Sequence, residues 1–241
     1  VKEPILGAHN WVVNFDLNSL YPHLIMQYNL SPETLITDEL PSELQEIKDA
    51  KPGVEGLIDQ SISLKSLEKY KLTYTPNNEF YQIGKQGFLP EMMQQIYDDR
   101  VKFKGMMIDA KKKLQKEKDF NERKELQKLI SKYNNMQMNL KITLNSAFGA
   151  MGNQHFRFFD QRIAEAITTS GQLSIKWIEK EINRYLNEIL KTDEDYVVAV
   201  DTDSVYITMD KLVQSVYGDK DVDKTQVIDF LDKVCSEQME K

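Results

Sequence analysis

Residues 196–209 read YVVAVDTDSVYITM, two β-branched runs joined by a short polar stretch. The runs predict two strands, Tyr196–Val200 and Val205–Met209, with Asp201-Thr202-Asp203-Ser204 as a tight hairpin between them. Far upstream, residues 11–16 read WVVNFD, which predicts a buried strand that ends on an acid. Because the strands of a sheet lie side by side, we expect the acids at these strand ends to converge: Asp16, Asp201 and Asp203.

Three converging carboxylates favour a cation site. Crowded carboxylates repel one another, and burying even one of them costs several kcal/mol. Hard divalent cations with oxygen ligands relieve that cost, and Mg²⁺ in particular is commonly held by a few carboxylates together with substrate phosphates. Aspartates also cap strand ends and turns without binding anything. The pattern by itself leaves both interpretations open.

A helical hairpin is predicted in the middle of the chain. A helix opens at Leu89-Pro90-Glu91, a break follows near residues 119–121, and a second helix ends in a glycine-punctuated stretch at 148–153. Both helices carry an apolar stripe, which predicts antiparallel packing. The first stripe contains Ile96, Phe103, Met107, Ala110 and Leu114, the second contains Leu126, Ile130, Tyr133, Leu140 and Leu144, and we place Arg100, Lys104 and Lys111 on another face.

The hairpin is basic although the chain as a whole is acidic. The net charge is −7, yet residues 95–145 hold thirteen Lys or Arg against seven Asp or Glu. Arg100 and Lys104 are spaced i, i+4 on the first helix, and Lys141 and Asn145 repeat that spacing on the second. Three cations and an amide around a cleft suit a triphosphate. A solvated hairpin rich in lysine is the competing interpretation.

The remaining segments complete a mixed fold. Residues 38–88 predict short helices and a hairpin, residues 163–190 a long helix, and the tail from residue 210 further helix. No apolar run is long enough to span a bilayer. The single Cys235 excludes an internal disulfide and a cysteine-based zinc site, and no Walker loop or metal-ligand histidine spacing is present.

Three motifs resemble those of family B DNA polymerases, and they occur in the family's order. DLNSLYP at 16–22 resembles motif A, KITLNSAFG at 141–149 resembles motif B, and DTDS at 201–204 resembles motif C. KEP at 2–4, SPET at 31–34 and FRFFD at 156–160 are similar to the replicative polymerases of T-even-like bacteriophages. The similarity covers nearly the whole chain and is weak only between residues 38 and 86.

The resemblance implies an α+β fold: a polymerase palm, built from an antiparallel sheet with packed helices, and a helical-hairpin fingers subdomain. Residues 1–37 would be palm with motif A, 38–89 a palm insertion or connection, 90–152 the fingers with motif B, and 153–241 palm with motif C and the following helix. It implies DNA synthesis from dNTPs on primer–template DNA, in the host cytoplasm if the protein is viral, with no membrane partner.

The resemblance also assigns roles to single residues. Asp16 and Asp203, with the Leu17 carbonyl, would hold two Mg²⁺ ions, and Asp201 would be an auxiliary acid. Tyr21 would lie under the sugar and exclude a ribose 2′-hydroxyl. The triphosphate contacts would be Arg100, Lys104, Lys141, Asn145 and the backbone amides of Ser19 and Leu20.

The chain departs from the family's pattern in two motifs. Motif C usually has Tyr-Gly where Ala199 and Val200 stand, and motif B usually has Tyr where Phe148 stands. A β-branched residue resists positive φ, so we expect the hairpin entry at Val200 to be extended. Neither departure removes a proposed metal ligand or phosphate-binding cation.

The family's exonuclease and thumb domains have no counterpart in these 241 residues, and the chain begins on Val. We therefore expect a piece of a longer protein whose other domains would be partners. Two rival interpretations remain: a non-catalytic nucleotide- or nucleic-acid-binding piece of a split polymerase, and another palm-fold nucleotidyltransferase such as a reverse transcriptase. The Lys141–Asn145 spacing and Tyr21 count against the reverse transcriptase.

Overall fold

A computed structural model describes residues 2–218 and 223–239, and its helices and small antiparallel sheets confirm the α+β class. No helix within these residues has the length and apolar character needed to cross a membrane. The elements in chain order are β1 (Val12–Asp16), α1 (Leu20–Tyr28), α2 (Ser42–Ala50), α3 (Gly53–Ile58), α4 (Ser66–Tyr70), β2 (Leu72–Thr75), β3 (Glu79–Gln82), α5 (Phe88–Lys116), α6 (Phe120–Met151), α7 (Gln161–Leu190), β4 (Val197–Asp201), β5 (Ser204–Thr208), α8 (Asp210–Tyr217), α9 (Lys224–Val234) and a π-helical turn (Cys235–Met239).

The chain forms two compact units, Val1–Asn18 with Gln172–Lys241, and Ser19–Gly171. The first unit is built on a three-stranded antiparallel sheet in the order β1-β5-β4. This sheet packs on helices α7, α8 and α9, because the valine and isoleucine side chains of β4 and β5 share a core with apolar residues of these helices. The buried core comprises Ile175, Leu186, Tyr196, Val197, Val200, Val205, Ile207, Met209, Leu212, Val213, Val227, Leu231 and Cys235.

The expectation that the first strand is buried is wrong. Strand β1 is at an edge of the sheet, and its residues alternate between exposed and half-buried. Val13 and Phe15 pack against the core, whereas Val12 stays 43% exposed. An antiparallel edge strand with one solvated face produces this alternation, even where both faces carry apolar residues.

The hairpin between β4 and β5 is tighter than predicted. Asp201 pairs with Ser204, so the ladder extends into the acidic stretch and only Thr202 and Asp203 form the turn. Each strand is therefore shifted by one residue toward the turn. Val200 is part of strand β4, which confirms the extended entry, and the positive φ of the turn (51°) is at Thr202.

The second unit combines the helical hairpin with a small two-stranded sheet. Strands β2 and β3 pair antiparallel, as expected for residues 38–88, and with α2 and α4 they enclose a core of their own. A separate core lies among helices α1, α5, α6 and α7. Its buried residues are Ile25, Leu30, Leu35, Tyr81, Leu89, Met93, Leu144, Met151, Ile163, Ala166 and Ile167.

Helices α5 and α6 form the predicted antiparallel hairpin, joined by residues 117–119. The Asp119 carboxylate caps α6 by accepting bonds of 2.9 Å from the amides of Asn121 and Glu122. The Arg123 guanidinium then ties the tip to the end of α5 through the Leu114 and Glu117 carbonyls. The tip is thus an ordered turn, and α6 begins at Phe120, within the expected break.

The expectation that Arg100 lies on a face of α5 separate from the apolar stripe is wrong. Arg100 is only 7% exposed, because it falls between Ile96 and Phe103 on the apolar stripe. Residues spaced by four and three positions along a helix lie on the same face. Arg100 therefore shares the face of Ile96 and Phe103 although its side chain is charged. Lys104 and Lys111 are exposed, as expected.

Candidate active site

The acids of the first unit lie at one end of its sheet. Asp16 ends β1 and Asp201 ends β4, and both pair with Ser204 on the central strand β5. Residues paired across strands project from the same face, here the face opposite the core residues Phe15, Val200 and Val205. Asp203 is in the adjoining turn. The pairing of the strands therefore brings these three acids to one end of the sheet, as expected.

Two hydrogen bonds connect strand β1 to the hairpin at this point. The Leu17 amide donates to the Asp203 carbonyl oxygen at 2.8 Å. The Ser204 hydroxyl donates to Asp16 Oδ2 at 3.2 Å, and Ser204 is 9% exposed. The first bond sets Asp203 beside the end of β1, and the second orients the Asp16 carboxylate.

The sheet spacing separates Asp16 from Asp201. They are on the two neighbours of β5, so their backbones are about 9.6 Å apart, twice the spacing between strands. In the part of the chain that the structure describes, no three acidic, histidine or cysteine side chains are grouped to hold a metal ion. The donor set of Asp16, Asp203 and the Leu17 carbonyl consists of oxygens alone, which suits a hard divalent cation.

Asp16 borders open space within the first unit. A cavity of about 610 Å³ is lined by Phe15, Asp16 and Leu17 on one side and by residues of α7 on the other, including Trp177 and Ile182. The carboxylate is therefore accessible to a ligand rather than enclosed by packed side chains. Asp201 is also exposed and Asp203 half-buried.

In the second unit, Arg100 is bonded to the start of helix α1. Its guanidinium Nη1 donates to Ser19 Oγ at 2.8 Å. Ser19 is the N-cap of α1 and has φ of 59°, a backbone conformation that non-glycine residues seldom adopt. The buried Arg100 Nε has no hydrogen-bond partner among the described residues. Because the guanidinium has already lost most of its hydration, a phosphate oxygen that reaches its remaining donors does not have to displace that water.

The other expected phosphate ligands are on the hairpin surface. Lys104, Lys141 and Asn145 are exposed, and neither lysine forms an ion pair within the described residues. Lys141 and Asn145 share one side of α6 through their i, i+4 spacing. Within residues 2–218 and 223–239, no hydrogen bond or ion pair joins these three side chains to Arg100, whereas Arg100 and Ser19 are in direct contact.

Tyr21 is held by aromatic and backbone neighbours. Its ring packs against Phe148 with centroids 4.6 Å apart, and both side chains are half-buried. On another side, helix α7 approaches at Gly171, where an added Cβ would lie 3.1 Å from Tyr21 Cε1. Contacts with Phe148 and the close approach of α7 at Gly171 therefore restrict the positions that the Tyr21 ring can take.

Sequence reasoning missed Gly171 and Ser204 as parts of these sites. A lone glycine within the long helical pattern of α7 was the available signal for Gly171, because such a glycine usually marks close packing. Ser204 gave no signal of its own, since its bond to Asp16 depends on the pairing of strands 188 residues apart.

Comparison with known proteins gives a consistent result. A family model for DNA polymerase family B matches residues 1–223. The chain is 32% identical over its whole length to the DNA-directed DNA polymerase of Escherichia phage RB69 and covers 29% of that protein. It is 31% identical to the corresponding polymerase of Enterobacteria phage T4, of which it covers 30%. It is 25% identical over 90% of its length to the DNA polymerase alpha catalytic subunit of Drosophila melanogaster. The chain thus spans under a third of these two phage relatives.

Proposed function

The chain belongs to DNA polymerase family B, and we propose that it carries the nucleotide-adding centre of a template-directed DNA polymerase. It would transfer deoxynucleotides from dNTPs to a primer 3′-hydroxyl. The observation that best supports this proposal is the 2.8 Å bond from the Leu17 amide to the Asp203 carbonyl oxygen. Because Leu17 directly follows Asp16, this bond brings Asp16 close to Asp203 although the two acids are remote in sequence. In the family's terms, residues 1–37 and 153–241 are palm, 38–89 a connection, and 90–152 fingers.

Asp16, Asp203 and the Leu17 carbonyl are the residues that would hold two Mg²⁺ ions. When bound, such a pair supplies activation of the primer 3′-oxygen and stabilisation of the departing pyrophosphate. The Ser204 hydroxyl fixes the orientation of the Asp16 carboxylate before any ligand arrives. Asp201, one strand further away, acts as an auxiliary acid through its charge rather than as a shared ligand.

Arg100 is the fixed donor of the triphosphate site. Its bond to Ser19 holds the guanidinium in place, so little conformational entropy is lost when a phosphate oxygen binds. Lys104, Lys141 and Asn145 add mobile donors from the hairpin surface, and the amides of Ser19 and Leu20 lie at a helix N-terminus, which favours anions. Fixed cations aimed at developing negative charge lower the barrier to phosphoryl transfer.

Tyr21 is proposed to select the sugar. Its ring is braced by Phe148 and by the backbone at Gly171, so it cannot move aside for an extra 2′-hydroxyl without disturbing packed neighbours. The rejection is steric and needs the ring rather than its hydroxyl.

Primer–template DNA and dNTPs are the proposed partners, in the cytoplasm of a host cell. Because the chain spans less than a third of the phage polymerases, we propose that the native protein also has an exonuclease domain and a thumb, and that the thumb holds the duplex. Duplex affinity depends on the number of neutralised phosphates, and the residues outside 95–145 carry a net negative charge. The isolated chain is therefore expected to extend primers slowly.

The test is single-nucleotide incorporation at low salt. Four primer–templates that differ only in the templating base are each incubated with Mg²⁺ and one dNTP at a time, so that all sixteen combinations are measured. We expect the chain to add only the complementary nucleotide, and to do so faster when a thumb domain is supplied separately. Nucleotide binding without any incorporation under both conditions would instead support the non-catalytic alternative.

A further inference from the structure

Helix α5 begins without a cap of its own. Its N-cap residue is Gly87, which has no side chain to accept a bond from the first-turn amides. Amides at a helix start have no acceptor within the helix and must be satisfied elsewhere. Here the acceptors come from the segment that follows α1, more than fifty residues earlier in the chain.

Three consecutive amides receive side-chain acceptors from that segment. Gly87 N–H donates to Asn29 Oδ1 at 2.8 Å, and Phe88 N–H donates to Glu33 Oε1 at 2.6 Å. Leu89 N–H points to Ser31 Oγ at 3.5 Å. Asn29 also donates through Nδ2 to the carbonyls of Gln82 and Lys85. We call the set Asn29, Ser31 and Glu33 the trans-cap.

The trans-cap is built closely. Asn29 is 5% exposed and Ser31 fully buried. A Cβ at Gly87 would lie 2.7 Å from Ser31 Cβ and 3.0 Å from Thr34 Cγ2, so only glycine permits this approach. The Ser31 hydroxyl further donates to Glu33 Oε2 at 2.6 Å, which holds the carboxylate toward Phe88.

Helices α1 and α5 are antiparallel and touch at three levels. The end of α1 holds Gly87 through Asn29, the His23 ring meets the Tyr97 ring edge-on with centroids 4.7 Å apart, and the start of α1 holds Arg100 through Ser19. Gly87 and Arg100 are thirteen residues apart, about 20 Å along the helix. Because a helix is stiff over this length, fixing its first turn fixes the axial position of Arg100.

We propose that Asn29, Ser31 and Glu33 are positioning residues that set the location of the Arg100 guanidinium by capping α5 in trans. The functional consequence rests on the proposed triphosphate role of Arg100. The position of the Arg100 guanidinium does not depend on that role, and it is measured without any ligand. The alternative is a cap that stabilises the first turn of α5 and has no effect at Arg100.

The experiment uses the whole 241-residue chain and records hydrogen exchange by NMR at two places: the Phe88 and Leu89 amides, and the buried Arg100 Nε–H. Glu33→Ala removes one acceptor from a solvent-facing residue and leaves the core intact. We expect exchange at both places to rise about tenfold, the effect of losing a cap of ordinary strength. Glu33→Gln keeps an acceptor oxygen for Phe88 and should stay within about twofold of wild type.

The matched control is Glu39→Ala, which removes an exposed carboxylate from the segment that follows α1 and leaves the trans-cap and the first turn of α5 intact. It should change neither signal. Asn29→Ala should give a larger effect than Glu33→Ala; if that variant does not fold, Glu33→Ala still decides. Faster amide exchange with an unchanged Arg100 Nε–H would overturn the positioning role.

Binding of inorganic tripolyphosphate adds the functional arm. We expect Glu33→Ala to weaken it about threefold to tenfold, with Glu39→Ala unchanged. If the wild-type chain does not bind tripolyphosphate, the triphosphate role of Arg100 fails, and the Arg100 Nε–H exchange alone establishes or refutes the positioning. The two failures are therefore distinguishable.

Discussion

The Leu17 amide and the Asp203 carbonyl oxygen, 2.8 Å apart, link the end of strand β1 to the turn between β4 and β5. This bond uses the donor of Leu17 and leaves its carbonyl available as an acceptor. It also extends the β1–β5 ladder by one step beyond Asp16, so the turn cannot move away from the first strand without losing it. The acids of two distant motifs are thereby held together by backbone geometry.

Replacing Ser19 tests the bond that holds Arg100. Ser19→Ala removes the oxygen that accepts from the buried guanidinium, which should destabilise the fold by about 1–3 kcal/mol. Urea unfolding measures the loss. Ser146→Ala, on the exposed surface of α6, is the control and should stay within about 0.5 kcal/mol of wild type. Equal midpoints for the two variants would refute a structural role for this bond.

Tyr21 is predicted to exclude ribonucleotides by its ring. Tyr21→Ala should reduce the preference for dNTP over rNTP by more than about tenfold, because the obstruction to the 2′-hydroxyl is gone. Tyr21→Phe keeps the ring and should keep the preference. The measurement is the ratio of kcat/KM for matched dNTP and rNTP. An unchanged ratio in Tyr21→Ala would contradict the proposed role.

Gly171 is predicted to be needed for the position of that ring. In Gly171→Ala the new Cβ would lie 3.1 Å from Tyr21 Cε1, so the ring or helix α7 must shift, at a cost of about 1–3 kcal/mol. Gly105→Ala is the matched control, since a Cβ there meets nothing within 4 Å and should stabilise α5 by about 0.5–1 kcal/mol. Thermal unfolding measures the stability of both variants. A Gly171→Ala variant more stable than wild type would show that the Tyr21 ring is not tightly packed against Gly171.

Glu33 should make part of the stability pH-dependent. Burial raises its pKa, but bonds from Ser31 and the Phe88 amide, with the charge of Lys85, outweigh burial and set the pKa below its usual value. A depressed pKa means stability that is full above the unfolded value, about 4.3, and is lost as pH falls through the folded value.

The corresponding measurement is the urea midpoint of wild type and Glu33→Gln between pH 7 and pH 3. Wild type should be the more stable near neutrality, and its advantage should begin to shrink below about pH 4.3 and disappear as pH falls through the lower pKa of the folded state. Other acids titrate in both proteins and cancel in the difference. A difference that stays constant down to pH 3 would rule out this contribution of Glu33.

The meeting of the strand ends that carry Asp16 and Asp201 could be predicted from the sequence because each strand carries its own signal. β-branched runs around Asp201 and Asp203, and the WVVNFD run before Asp16, predicted strands whose ends had to meet in a sheet. The turn length was less predictable. It depended on Asp201 pairing with Ser204, and the residue types at these two positions do not reveal whether the ladder extends that far into the polar stretch.

The second unit shows where such reasoning fails. Arg100 was expected on a face away from the apolar stripe, although its spacing from Ile96 and Phe103 puts it on that stripe, where it is buried. The trans-cap of Gly87 by Asn29 had no local signal at all, since the partners are 58 residues apart. Long-range side-chain bonds of this kind follow from tertiary packing and are not encoded in a local pattern.

The central claim is that Asp16 and Asp203 form the catalytic centre of DNA synthesis, and single-turnover incorporation of one templated nucleotide in Mg²⁺ tests it most directly. The assay compares wild type, Asp16→Ala, Asp203→Ala and the control Asp193→Ala, an exposed acid of the same unit, with a thumb domain supplied to all four. We expect both site variants to lose at least about a thousandfold in rate, with primer–template binding retained and Asp193→Ala unchanged. Incorporation by Asp203→Ala near the wild-type rate would contradict the account.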